Sequence, residues 1–220
     1  MLLGLSAIVL ILTSIMYSLH SASFQRFFGG LHPLGVLFTV VVLGFLLFSL
    51  LLYDGRFAIY RPGHLRGLLL ALGLAIPFAV VIILVDRAVR FPVDMNVAFP
   101  ESLLFYPVMG FVADILFFIL PFCLLYFLLN RIAGESDPNR IIWAAILLTA
   151  LFEPIFQVAF MDGRSPDWVV AYVGVHVYVM AVVQLFLFKR YDFITMYSFR
   201  LSYYLLWHIV WGHLRLTVVF

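Results

Sequence analysis

Residues 65–85 read LRGLLLALGLAIPFAVVIILV. No side chain from Gly67 to Val85 is charged, and an apolar run of about 20 residues is what a helix needs to cross the hydrocarbon core of a bilayer. Reading outward from this stretch, runs of the same kind, separated by charge clusters, occupy 2–19, 31–53, 102–129, 141–161, 168–188 and 198–220. A backbone in lipid must satisfy its own hydrogen bonds, which helices do. The expected fold is therefore all-α, a polytopic transmembrane helical bundle of about seven spans.

Composition points the same way. Hydrophobic residues make up 65% of the 220 and charged residues 11%, with a mean hydropathy of +1.15; in a soluble domain about a quarter of the residues are charged. Seven spans with short connections use nearly the whole chain, so a single integral membrane domain over 1–220 is expected. Its N-terminal spans lie in 1–138 and a motif-bearing segment in 139–216. The first run lacks a basic n-region and exceeds a signal-peptide core, so despite Ser21-Ala22-Ser23 behind it, it reads as a retained helix. Cys123 is the only cysteine, which excludes an intrachain disulfide and cysteine-based metal motifs, and it reads as lipid-facing or as packing filler.

The segment 87–101 carries mixed charge with Pro92 and Pro100. It is too short and polar to cross and is expected at the interface, as a loop, a short amphipathic piece or a lid. Lys and Arg in alternate connections count eight on one side (Arg56, Arg61, Arg66, Arg131, Arg140, Lys189, Arg190 and Arg200) and five on the other (Arg26, Arg87, Arg90, Arg164 and Arg215). That bias predicts a cytoplasmic N-terminus. A net charge of +2, scattered over short loops, argues against nucleic acid. The bilayer itself is the first partner, with anionic headgroups near Arg56, Arg61 and Arg66. Tyr53, Tyr60, Trp143, Trp168 and Tyr203 fall near span ends and read as an interfacial aromatic belt.

Three polar signatures interrupt the apolar pattern: Glu153 with Gln157, Tyr172 with His176, and His208 with Gly212. Each pair is four residues apart and so shares one helical face. At about 1.5 Å per residue, Glu153 lies roughly 20 Å into its span, and the two histidines lie at comparable depth. Ionisable groups at that depth normally face a bundle interior, which predicts one shared internal site. Pro154 lacks a backbone donor and should kink the fifth span beside Glu153. Asp114 sits at similar depth in the fourth span and reads as a structural group that can join them. The charges Asp162, Arg164 and Asp167 read as solvated loop residues.

At these residues the chain resembles the CPBP family of glutamate-dependent intramembrane proteins, which includes CAAX prenyl endopeptidases and bacteriocin-processing enzymes and is also called Abi. The family carries EExxxR, FxxxH and HxxxN on successive membrane helices. Here Phe152-Glu153-Pro154-Ile155-Phe156-Gln157 stands in place of the first motif, Tyr172–His176 in place of the second and His208–Gly212 in place of the third. The resemblance spans 139–216 and implies Glu153, His176 and His208 as catalytic groups, with hydrolysis independent of metal or cofactor and prenylated or leader peptides as substrates.

The departures bear on activity. Phe152 replaces the glutamate that the resemblance makes the water-activating base, Gln157 replaces the arginine, and Gly212 replaces the asparagine that would stabilise an oxyanion. Loss of one carboxylate together with the arginine keeps the charge balanced, which reads as coordinated decay of an active centre. The leading expectation is a catalytically degraded homologue acting as scaffold or binding subunit alongside other membrane proteins. The alternatives are an active endopeptidase, including a zinc form held by Glu153, His176 and His208, and a transporter or cofactor-binding subunit using the histidines.

Overall fold

The computed structural model describes residues 1–19, 23–63, 65–134, 137–161 and 165–219, without the side chains of Gln25, Arg26 and Asp94. Asp162 and Arg164, and most of the Ser21-Ala22-Ser23 site, lie outside the described residues. The helices are α1 (Leu2–Ser18), α2 (Ser23–Phe28), α3 (Pro33–Tyr53), α4 (Leu65–Val89), α5 (Ser102–Ala113), α6 (Leu120–Ala133), α7 (Pro138–Thr149), α8 (Phe152–Ala159), α9 (Asp167–Arg190), α10 (Phe193–Tyr204) and α11 (Gly212–Val218). Two π-helical segments, Asp114–Ile119 and Leu205–Trp211, join α5 to α6 and α10 to α11 as continuous rods. A short turn joins α7 to α8.

The fold is an all-α bundle, and the described residues form seven rods plus the short α2. Five rods are long and apolar enough to cross a membrane: Pro33–Tyr53, Leu65–Val89, Ser102–Ala133, Pro138–Ala159 and Asp167–Arg190. They make the chain a multi-pass integral membrane protein. Helix α1 is shorter, and the C-terminal rod carries two buried arginines, so neither has that length and apolarity together.

Helix α10 lies between α4 and α9, α8 packs on α9, α6 on α7, and α1 on α3 and α5. Small residues let these backbones approach, as membrane helices require when lipid is as apolar as leucine. Gly67, Ala71, Ala75 and Ala79 recur every four residues along the buried face of α4, and a Cβ at Gly67 would meet the Tyr191 ring at 2.8 Å. Phe48, Phe57, Phe122 and Phe188 fill the centre in edge-on and stacked pairs with centroids 5.2–6.4 Å apart. Cys123 is buried among them and not lipid-facing.

Two boundaries differ from the sequence reading in ways that bear on the site. Helix α4 runs to Val89, and only Val93–Met95 forms a short turn of helix before α5. The last rod begins at Phe193 because Asp192 caps it, its Oδ1 accepting from the Thr195 amide at 2.8 Å. Arg200 and Arg215, counted above as loop charges, are thus inside the rod and 1% and 0% exposed. Tyr203 is buried and belongs to the interior, whereas Tyr53, Tyr60 and Trp168 are exposed as a belt requires.

Candidate functional site

Pro154 cannot donate to Ala150, and the fifth rod breaks there, between Thr149 and Phe152, with Leu151 N bonded three residues back to Leu148 O at 3.2 Å. Past the break, Glu153, Phe156, Gln157 and Phe160 line a cavity of ≈ 580 Å³. His176 from α9 and His208 from the second π-helical segment line the same cavity. Phe152 is not among the residues that line it and is 48% exposed. The three groups singled out from sequence therefore share one chamber, and Phe152 is not part of its wall.

The residue that organises the chamber is Arg200, which the sequence reading counted with the connection charges at the start of the last span. Its Nη1 and Nη2 donate to Glu153 Oε1 and Oε2 at 3.0 and 2.9 Å, a two-pronged pair. Its Nε donates to Asp114 Oδ1 at 2.5 Å, and Nη1 also reaches Tyr204 Oη at 3.0 Å. Asp114 receives a second donor, Gln184 Nε2, at 2.6 Å. Gln157 Nε2 adds a longer contact of 3.3 Å to Glu153 Oε1. Asp114 meets the same guanidinium but does not line the cavity. Two carboxylates thus share one guanidinium, all three buried, and the Phe118 ring lies 4.9 Å from the guanidinium carbon.

The imidazoles are held separately. Tyr172 Oη lies 3.2 Å from His176 Nδ1, one turn away on α9 as their spacing predicts, and His176 Nε2 is buried without a hydrogen-bond partner among the described residues. His208 stacks on Tyr106, with centroids 4.5 Å apart and a tilt of 20°, and its Nδ1 lies 2.8 Å from Asn96 Oδ1. Gly212 packs against Asn96. Among the described residues no group of three or more His, Cys, Asp or Glu side chains converges as a metal site, so the zinc set of Glu153, His176 and His208 does not form.

Much of the remaining wall is apolar, with Phe91, Phe105, Met109, Phe117, Phe160 and Trp207. It reaches from residues near rod ends, such as Phe27 and Ser165, to the mid-rod groups Glu153, His176 and Arg200. Such a space suits an apolar guest that meets a few polar atoms at its deep end.

Arg200 and Asn96 were the residues that sequence reasoning missed. For Arg200 a signal existed: Asp192 followed by an apolar run is a helix start, and that start places Arg200 two turns inside. For Asn96 there was none, since its partner lies 112 residues away. No family model, curated protein or solved structure matches the chain.

Proposed function

We propose that the chain is a CPBP-like integral membrane protein that binds without cleaving: its glutamate centre serves as a structural ion pair, and its cavity receives part of a partner or of a prenylated or leader-type peptide within a membrane complex. The observation that carries this reading is the engagement of both Glu153 oxygens by Arg200. Phe152, which has no carboxylate and does not line the chamber, supplies no second acid there. A two-pronged guanidinium clamp is the geometry of a structural ion pair that joins two helices.

The active endopeptidase is the second reading, and the observation that favours it is the presence of His176 and His208 in one cavity with Glu153. The test incubates the purified full chain, in detergent and in lipid, with prenylated CAAX peptides and leader peptides. No cleavage above that of the Glu153→Gln variant is expected. Cleavage that disappears on Glu153→Gln overturns the binding-only reading. Isolation from native membrane should yield stoichiometric companion chains, and a chain that purifies alone counts against a complex subunit.

A further inference from the structure

The C-terminal rod presents His208 and, one turn later, Gly212, and both meet the same side chain. Asn96, from the connection between α4 and α5, places Oδ1 2.8 Å from His208 Nδ1. A Cβ at position 212 would stand 2.8 Å from Asn96 Nδ2 and 3.1 Å from Asn96 Cβ, closer than a side chain tolerates. Glycine at 212 is therefore what lets the carboxamide reach the imidazole.

The connection that carries Asn96 is pinned on both sides of it. Arg215 donates to Phe91 O at 2.6 Å and to Pro92 O at 3.0 Å, while Val97 N donates to Tyr106 Oη at 3.0 Å. Tyr106 is the ring stacked on His208. Phe91, Pro92 and Met95 form part of the cavity wall. Residues 91–97 are thus a wall of the chamber held on both sides, and among their described side chains the polar one at the site's chemistry is Asn96.

We propose that Asn96 is the positioning residue of His208: its Oδ1 accepts the Nδ1 proton, fixes the ring in that tautomer and orientation, and leaves Nε2 as the imidazole's hydrogen-bond acceptor. A carboxamide or carboxylate on one ring nitrogen sets the chemistry of the other in this way. A guest meeting His208 then presents a donor, a hydroxyl or an amide N–H. This last step rests on the reading of the cavity as a binding chamber, whereas the tautomer assignment does not.

The experiment is ¹⁵N nuclear magnetic resonance of the full chain, histidine-labelled, in lipid nanodiscs at neutral pH, with His208 assigned by His208→Gln. The expected wild-type signal is a single Nδ1-protonated tautomer. Asn96→Ala should convert it to a tautomer mixture, and Asn96→Asp, which keeps the acceptor, should retain the Nδ1 proton. Gly212→Ala should reproduce the Asn96→Ala spectrum by expelling the carboxamide, yet change nothing when added to Asn96→Ala. A wild-type His208 protonated at Nε2, or shifts unmoved by Asn96→Ala, overturns the proposal. The wild-type spectrum decides even if a variant fails to fold, and peptide cleavage in the assay above would remove the binding-only reading without touching it.

Discussion

Arg200, Glu153 and Asp114 bring two carboxylates and one guanidinium together at 0–4% exposure, so removing the cation costs more than removing one anion. Arg200→Met leaves two buried carboxylates facing each other with no counter-charge, and breaking a buried pair from one side costs about 3–5 kcal/mol. Asp114→Asn keeps the shape and leaves one carboxylate matched to one guanidinium, so it should be neutral or stabilising. Thermal unfolding in detergent separates the two, and an Asp114→Asn loss as large as that of Arg200→Met would refute the charge-excess argument. At this scale the sequence exposed Glu153, His176 and His208 because each interrupts an apolar run. It concealed Arg200 because the seventh span was begun at 198, which put the arginine in the first turn and let it be counted with the connection charges, whereas the rod begins at Phe193. Gly212 looked like a lost side chain, and its space is occupied by Asn96 from a segment that sequence spacing cannot relate to it.

The helices were legible as apolar runs, but their mutual approach was not, since which face of an almost wholly apolar helix meets protein is weakly written in hydropathy. On α4 the face is marked by the small residues Gly67, Ala71, Ala75 and Ala79, and it receives α10. Gly67→Ala drives a methyl into the Tyr191 ring at 2.8 Å and should cost about 1–3 kcal/mol. Gly44→Ala meets only the flexible end of Ile115 at 3.2 Å and should cost less, so equal losses in unfolding measurements would contradict the packing account. The π-helical segments were equally hidden, yet Asp114 opens one and His208 lies in the other, where widened turns re-aim side chains into the interior. A second buried pair ties elements together near the cavity's outer rim: Arg215 Nη2 and Nε bond Asp86 Oδ1 and Oδ2 at 2.7 and 3.0 Å, with Trp211 Nε1 on Oδ2 at 2.7 Å. Arg215→Leu should release 91–97 from the C-terminal rod, and faster trypsin cleavage after Arg90 than in wild type is the expected sign.

Across the whole molecule, seven rods in alternation put the chain ends on opposite faces, and cross-connections agree with that alternation. The 58–61 segment bonds the start of α10, with Phe193 N on Ala58 O at 3.0 Å and Arg61 N on Asp192 Oδ2 at 2.9 Å, and Asp54 accepts from Tyr126 near the end of α6. On the other face Phe27 of α2 touches Phe105, and Arg215 reaches Phe91 and Pro92. The cavity's rim residues Phe27, Phe91 and Ser165 belong to this second face. Burial of Arg200 and Arg215 removes one cation from each side of the charge count, leaving seven against four, with the excess on the face that bears the N-terminus. Only short-loop cations orient a membrane protein, so this correction sharpens the bias and predicts that the N-terminal face is cytoplasmic and that the cavity opens away from it. The sole native cysteine, Cys123, is buried and gives a silent background for single-cysteine labelling. In intact cells a membrane-impermeant maleimide should reach Leu31→Cys and Phe99→Cys, exposed on the cavity face, and should miss Tyr53→Cys and Arg131→Cys until the membrane is broken. The reverse pattern would invert the orientation, while labelling of Leu31→Cys together with Tyr53→Cys would deny that the rod between them crosses at all.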